Sequence, residues 1–162
     1  MKLIGLAGVS ALVVAGSLTM AAAAFLLMEG DSRAGILKPA DTATVAKGAS
    51  IYADQCATCH GVNLEGEPNW QERNSDGTMP APPHDESGHT WHHDDWLLFK
   101  LVKFGLGGVE GLEDVPSTMP AYEGVLSDEE ILAVLSYIKS TWPEALRSNH
   151  DALNRQIAKG QQ

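Results

Sequence analysis

The sequence predicts an all-α protein: a small helical domain preceded by one N-terminal transmembrane helix. Three observations predict it. Residues 3–28 carry no charged side chain. Beyond residue 40, apolar residues recur with the 3.6-residue period of a helix rather than in alternation. A capping box, Ser127-Asp128-Glu129-Glu130, opens the last of these apolar runs.

The N-terminal run sets the first boundary. Met1-Lys2 precedes 26 uncharged residues, and Glu29-Gly30-Asp31-Ser32-Arg33 follows. A secretory signal core spans ~7–15 apolar residues, whereas a spanning helix needs ~20. Ala21-Ala22-Ala23 could serve as a peptidase site, but the apolar run continues past it through Phe25-Leu26-Leu27-Met28. That continuation favours an uncleaved anchor over a removed signal. Lys2 and the terminal amine place the N-terminus in the cytoplasm. The expected organisation is therefore an anchor over residues 1–30, a linker over 31–41, a globular domain over 42–147 and a polar tail over 148–162. The domain is expected on the periplasmic, extracytoplasmic side of the inner membrane.

Charge narrows the partners. All 21 acidic residues and ten of the 11 basic ones lie beyond the uncharged run, leaving a formal charge of about −11 there. Such a surface repels nucleic acid and anionic lipid headgroups. It suits a partner with a basic docking patch, or serves solubility alone. Two cysteines three residues apart are no disulfide framework.

The helices follow in order. Asp41 or Thr42 starts the first, which runs to about Gln55 with Val45, Gly48, Ile51 and Tyr52 on one face. Residues 61–90 read as a long loop with Pro68, Pro80, Pro82 and Pro83. Asp94 or Asp95 caps a second helix, Trp96 to Phe104, which is apolar nearly all round and is expected to be buried. A Gly-rich loop over 105–126 precedes the capped helix, which runs to about Thr141 with Ile131, Val134, Leu135 and Ile138 on one face. Pro143 breaks that helix or starts another segment.

Cys56-Ala57-Thr58-Cys59-His60 carries the chemistry. A thioredoxin-like redox pair would expect a strand beside it, and the preceding chain is helical. A zinc site would need further ligands, which only histidines could supply. The third reading is c-type haem attachment, for which a histidine directly after the second cysteine is the specific mark. Two thiols at this spacing can reach two vinyl groups on one edge of the macrocycle, and the next residue then aims an imidazole at the iron. With His60 in one axial position, the other falls to Met79 or Met119 on spacing alone. His84, His89, His92 and His93 also compete, and Met119 could simply fill a core. The same histidine tract could hold copper or zinc, or could be an exposed loop and helix start.

Taken together, these residues resemble class I cytochrome c over about residues 42–146. The resemblance implies helices packed around one covalently bound haem. It implies that the first and last helices cross at a glycine–aromatic contact, matched by Gly48, Tyr52 and Tyr137. It implies Met119, and not Met79, as the second iron ligand beside His60. It further implies that a proline carbonyl, from Pro82 or Pro83, accepts the Nδ1–H of His60. Trp91 and Tyr122 are candidate hydrogen-bond donors to the haem propionates, or else packing residues. Leu97, Leu98 and Leu101 are expected to line the pocket.

The expected function is single-electron transfer by one haem c held through Cys56 and Cys59. The expected partners are redox proteins with basic docking surfaces: a quinol-oxidising complex as donor, a terminal oxidase or reductase as acceptor. The chain is not expected to be an enzyme by itself. The alternatives are a haem- or copper-handling subunit or assembly factor of a larger complex, and an open-site haem sensor.

Overall fold

A computed structural model describes residues 35–160, so the anchor expected over residues 3–28 lies outside the described residues. Among these, no helix is long and apolar enough to cross a membrane. The described residues contain helices and an isolated bridge between Glu123 and Leu126, with no strand. Helix α1 spans Thr42–Gln55, α2 is the short turn Ala57–His60, α3 spans Asp95–Phe104, α4 spans Asp128–Thr141 and α5 spans Glu144–Gly160.

Each start is set by a side chain that satisfies otherwise orphaned amides. Asp41 accepts the Thr44 N–H at 2.7 Å to open α1. Asp94 accepts the N–H groups of Trp96 and Leu97 at 3.0 and 3.2 Å to open α3. Ser127 and Glu130 bond reciprocally at the start of α4, and Asp128 and Glu129 add favourable charge to its first turn.

Helices α1 and α4 form the core crossing. A Cβ built on Gly48 would lie 2.0 Å from the Ala133 carbonyl oxygen and 2.8 Å from Tyr137 Cβ, so only glycine admits this approach. One turn further along, the Tyr52 and Tyr137 rings meet with centroids 5.5 Å apart. Tyr52, Ile131, Val134, Leu135, Ile138 and Trp142 are almost wholly buried around this crossing.

Helix α3 departs from the expectation of all-round burial. Leu98 and Phe99 face the core, but Trp96 is 57% and Phe104 36% exposed. An apolar sequence cannot show which face has a neighbour, and α3 has its neighbours along one stripe. The Lys103 ammonium lies 5.4 and 5.5 Å from the Phe104 and Phe99 ring centroids and covers part of the remaining aromatic surface.

The polar segment after residue 147 is helical. It belongs to α5, whose His150 and Asn154 are buried one turn apart. Their docking point is Asp95, which is fully buried. Its carboxylate accepts the Ile36 and Leu37 N–H groups at 2.8 and 3.1 Å and the Asn154 side-chain amide at 3.2 Å. The Lys139 ammonium stands 3.8 Å away and 2.6 Å from Asp151. His150 Nε2 donates to the His93 carbonyl at 2.7 Å. Asp95 thus ties the entering chain, α3, α4 and α5 together. Removing a partner from a buried charged group of this kind typically costs about 3–5 kcal/mol.

The node is also sensitive to acid. Burial, and then the Lys139 ammonium, hold the His150 imidazole below its ordinary value of 6.5, while the bond to the His93 carbonyl, Asp95 and Asp151 only partly oppose this. A base depressed in the folded state takes up more protons when unfolded, so stability rises with pH. Stability is therefore full above about pH 6.5 and falls as pH drops through the window beneath it. The melting temperature is expected to decline on acidification from pH 7.5 to 5.5, and His150→Gln is expected to flatten that decline. Parallel slopes in thermal melts of the two proteins would contradict this.

Candidate functional site

The Cys56–His60 segment follows directly from the end of α1. Cys56 is the last residue still bonded into α1, its N–H donating to the Tyr52 carbonyl at 2.9 Å. The chain then turns through α2, which buries His60 and leaves Cys59 exposed. The Tyr52 hydroxyl donates toward the carbonyls of Gly61 and His60 at 2.9 and 3.3 Å, fixing α2 to the helix before it.

His60 has its orientation set by one carbonyl. Its Nδ1 lies 2.9 Å from the Pro82 oxygen. A carbonyl only accepts, so Nδ1 carries the proton. Burial holds the imidazole below its ordinary range, although the Pro82 bond and Glu67 partly oppose this. The neutral ring therefore has its Nε2 lone pair free for a metal. Of the two prolines the sequence left open, Pro82 meets His60, while the Pro83 oxygen faces the Thr90 hydroxyl at 3.4 Å.

The segment bearing that carbonyl is itself held from several sides. His84 N–H donates to the Leu64 carbonyl at 2.8 Å, and Trp142 Nε1 donates to the His84 carbonyl at 2.7 Å. His84 Nδ1 lies 2.8 Å from Thr90 Oγ1. Gly66, at φ +68°, lets residues 82–83 pass so closely that a Cβ there would stand 2.5 Å from Pro83 N and 2.7 Å from the Pro82 carbonyl carbon. Leu64, Gly66, Thr90 and Trp142 carry no periodic or motif signal for this role, and His84 stood out in the sequence only as a possible metal ligand. The His84 ring stacks on His60 with centroids 4.1 Å apart and planes 23° apart. Burial, followed by His60 and His89, drives the His84 imidazole well below its ordinary range, so it too is neutral.

The other expected site residues fall out differently. Tyr122 donates its hydroxyl proton to the Gln55 carbonyl at 2.7 Å, at the end of α1. Burial pushes its phenol upward, with Cys56 and Cys59 adding to the effect. Met119, three residues before this anchor, is partly buried, and its N–H donates to Ser117 Oγ at 3.1 Å. Met79 is partly buried in the long loop. Leu98 packs in the core, and Leu97 and Leu101 keep partial exposure. His89 stacks on Trp70 and His92 on Trp91. Among the described residues, no group of three or more His, Cys, Asp or Glu side chains is placed to hold a metal ion.

The donors present fit an iron porphyrin better than a dithiol couple. Burial, then Cys59, pushes the Cys56 thiol up to about 11, the opposite of the depression that makes a reactive thiolate. Trp91 Nε1 and His89 Nδ1 are buried with no partner in the polypeptide. Two unmatched buried nitrogens call for a polar group the chain does not supply, and haem propionates are such groups.

Gly66→Ala forces the Pro82–Pro83 backbone away from its position and strains a left-handed residue. It is expected to lower stability by about 1–3 kcal/mol. Denaturant unfolding that matched wild type would show that residues 81–83 are not held as described.

Comparison with known proteins agrees with this geometry. Residues 45–142 match the family model for cytochrome c. A Cbb3-type cytochrome c oxidase subunit FixP from Bradyrhizobium sp. (strain ORS 278) is 29% identical over 65% of this chain and 37% of its own length. A Cbb3-type cytochrome c oxidase subunit CcoP from Azospirillum sp. (strain B510) is 32% identical over 62% of this chain and 30% of its own length. The Gluconate 2-dehydrogenase cytochrome c subunit of Pantoea cypripedii is 29% identical over 59% of this chain and 20% of its own length. The chain thus spans about a third or less of these relatives. No solved structure matches it significantly. Helices, the Cys56–His60 turn and the family match concur: the chain belongs to the cytochrome c family, in its class I form.

Proposed function

We propose that the domain holds one haem covalently through Cys56 and Cys59, with His60 and Met119 as the two iron ligands. The observation that carries this reading is the bond from His60 Nδ1 to the Pro82 carbonyl, which leaves the opposite ring nitrogen free beside the two thiols. Met119 is supported by its place in the chain. Tyr122 is pinned beside Cys56, and three extended residues reach about 10 Å. Pro120 stiffens that approach. Trp91, and not Tyr122, is the propionate donor in this reading, since its indole N–H is buried and unmatched.

The haem supplies a one-electron couple, and the protein shapes its use. The Pro82 carbonyl orients His60 and raises its basicity as a ligand. The apolar core around α1 and α4 disfavours added charge and keeps water away. The Met119 thioether, as the second ligand beside His60, would raise the potential. The acidic surface suits redox partners that dock through basic patches.

Residues 3–28 tether the domain to the inner membrane in this proposal, with the haem on the periplasmic side. Confinement to one surface raises the effective concentration of partners on that membrane. The similarity to subunits of an oxidase and of a dehydrogenase supports a carrier between membrane-associated respiratory complexes. A quinol-oxidising complex would act as donor and a terminal oxidase or reductase as acceptor. The same similarity supports a place within such a complex, as a non-catalytic subunit.

Met119→Ala is expected to lower the midpoint potential and abolish the Met–iron absorption band of the oxidised protein, while the haem stays covalently attached. A variant that kept both the band and the potential would rule Met119 out as ligand.

A further inference from the structure

We propose that His84 is a positioning residue for His60: its imidazole, stacked on the ligand ring, fixes the rotation of that ring and hence the anisotropy of the iron it binds. The proposal rests on His60 being an iron ligand.

The need for a second constraint follows from the first. A single hydrogen bond from Nδ1 to the Pro82 oxygen fixes the direction of the ring but not its rotation about that direction. Only a flat surface against one face removes the remaining freedom. His84 supplies one, with the two ring centroids 4.1 Å apart and the planes 23° from parallel. Aromatic pairs in proteins commonly sit 4.5–7 Å apart, so this is close face contact.

His84 can impose a plane because its own is imposed. The Leu64 carbonyl accepts its N–H at 2.8 Å, and its carbonyl accepts the Trp142 indole N–H at 2.7 Å. Its Nδ1 lies 2.8 Å from Thr90 Oγ1. Thr90 is buried, which confines the hydroxyl that meets the ring. The backbone and one ring edge of His84 are therefore fixed by the long loop, the turn before α3 and the end of α4. A leucine at position 84 would fill similar space without a flat face. A phenylalanine would keep the face and lose the bond to Thr90.

The test uses the full chain in its haem-loaded form, as wild type, His84→Leu, His84→Phe and Thr90→Val. Two readouts report the ligand plane: the ferric electron paramagnetic g values and the spread of haem-methyl proton shifts. His84→Leu is expected to move both. His84→Phe and Thr90→Val, which both keep a flat ring and lose the bond to Thr90, are each expected to fall between wild type and His84→Leu. Thr90→Val and His84→Phe carry the test if His84→Leu does not fold. Wild-type g values and methyl shifts in His84→Leu, or displacement as large in His84→Phe as in His84→Leu, would overturn the positioning role. Wild-type protein lacking a low-spin histidine-ligated signal would overturn the ligand reading, and the proposal with it. The two failures are therefore distinguishable.

Discussion

The hydrogen bond from His60 to the Pro82 carbonyl is the constraint around which the rest of the fold is arranged. It converts a flexible histidine into a neutral ring of fixed direction, with one nitrogen committed and the other available. The bond joins residues 22 apart across an irregular loop. No secondary structure maintains it. Its geometry depends on tertiary supports: the Leu64 carbonyl, the Trp142 indole, the Thr90 hydroxyl and the space that Gly66 leaves open. The crossing of α1 and α4 matters for the same reason. It positions Tyr52, which anchors the segment bearing His60, and it leads into Trp142, which anchors the segment bearing Pro82.

Much of this was legible in the sequence, and the reasons are physical. Helices with an apolar stripe and a capping side chain declare both their period and their start. The α1 and α4 boundaries and the Asp41, Asp94 and Ser127 caps could therefore be anticipated, whereas the contact of Gly48 with Tyr137 was implied by the family resemblance. The Cys56–His60 motif is local and needs no tertiary information. What escaped was non-local or polar. Helix α5 docks through His150 and Asn154, so its buried face is hydrophilic and gives no apolar period. The packing of α3 on one side alone depends on neighbours that its own residues cannot reveal. His84 is distinguished only by what lies beside it.

The Asp95 node shows how elements outside the family match are built onto the core. The entering chain over 35–38 and helix α5 flank the matched residues 45–142, and both converge on one buried carboxylate. Lys38 adds a second tie, its N–H donating to Ser136 Oγ at 2.9 Å on α4. The approach to the domain from its N-terminal side is thus hydrogen-bonded to α3 and α4 and does not hang free over these residues.

The central claim is that Cys56, Cys59 and His60 grip an iron porphyrin. Intact-mass analysis after thiol alkylation tests it most directly, on the full chain from a host able to attach haem outside the cytoplasm. The account predicts an added mass of one haem, carried on the peptide spanning residues 56–60, and no alkylation at either sulfur. A colourless protein of unmodified mass, with both cysteines alkylated, would contradict it.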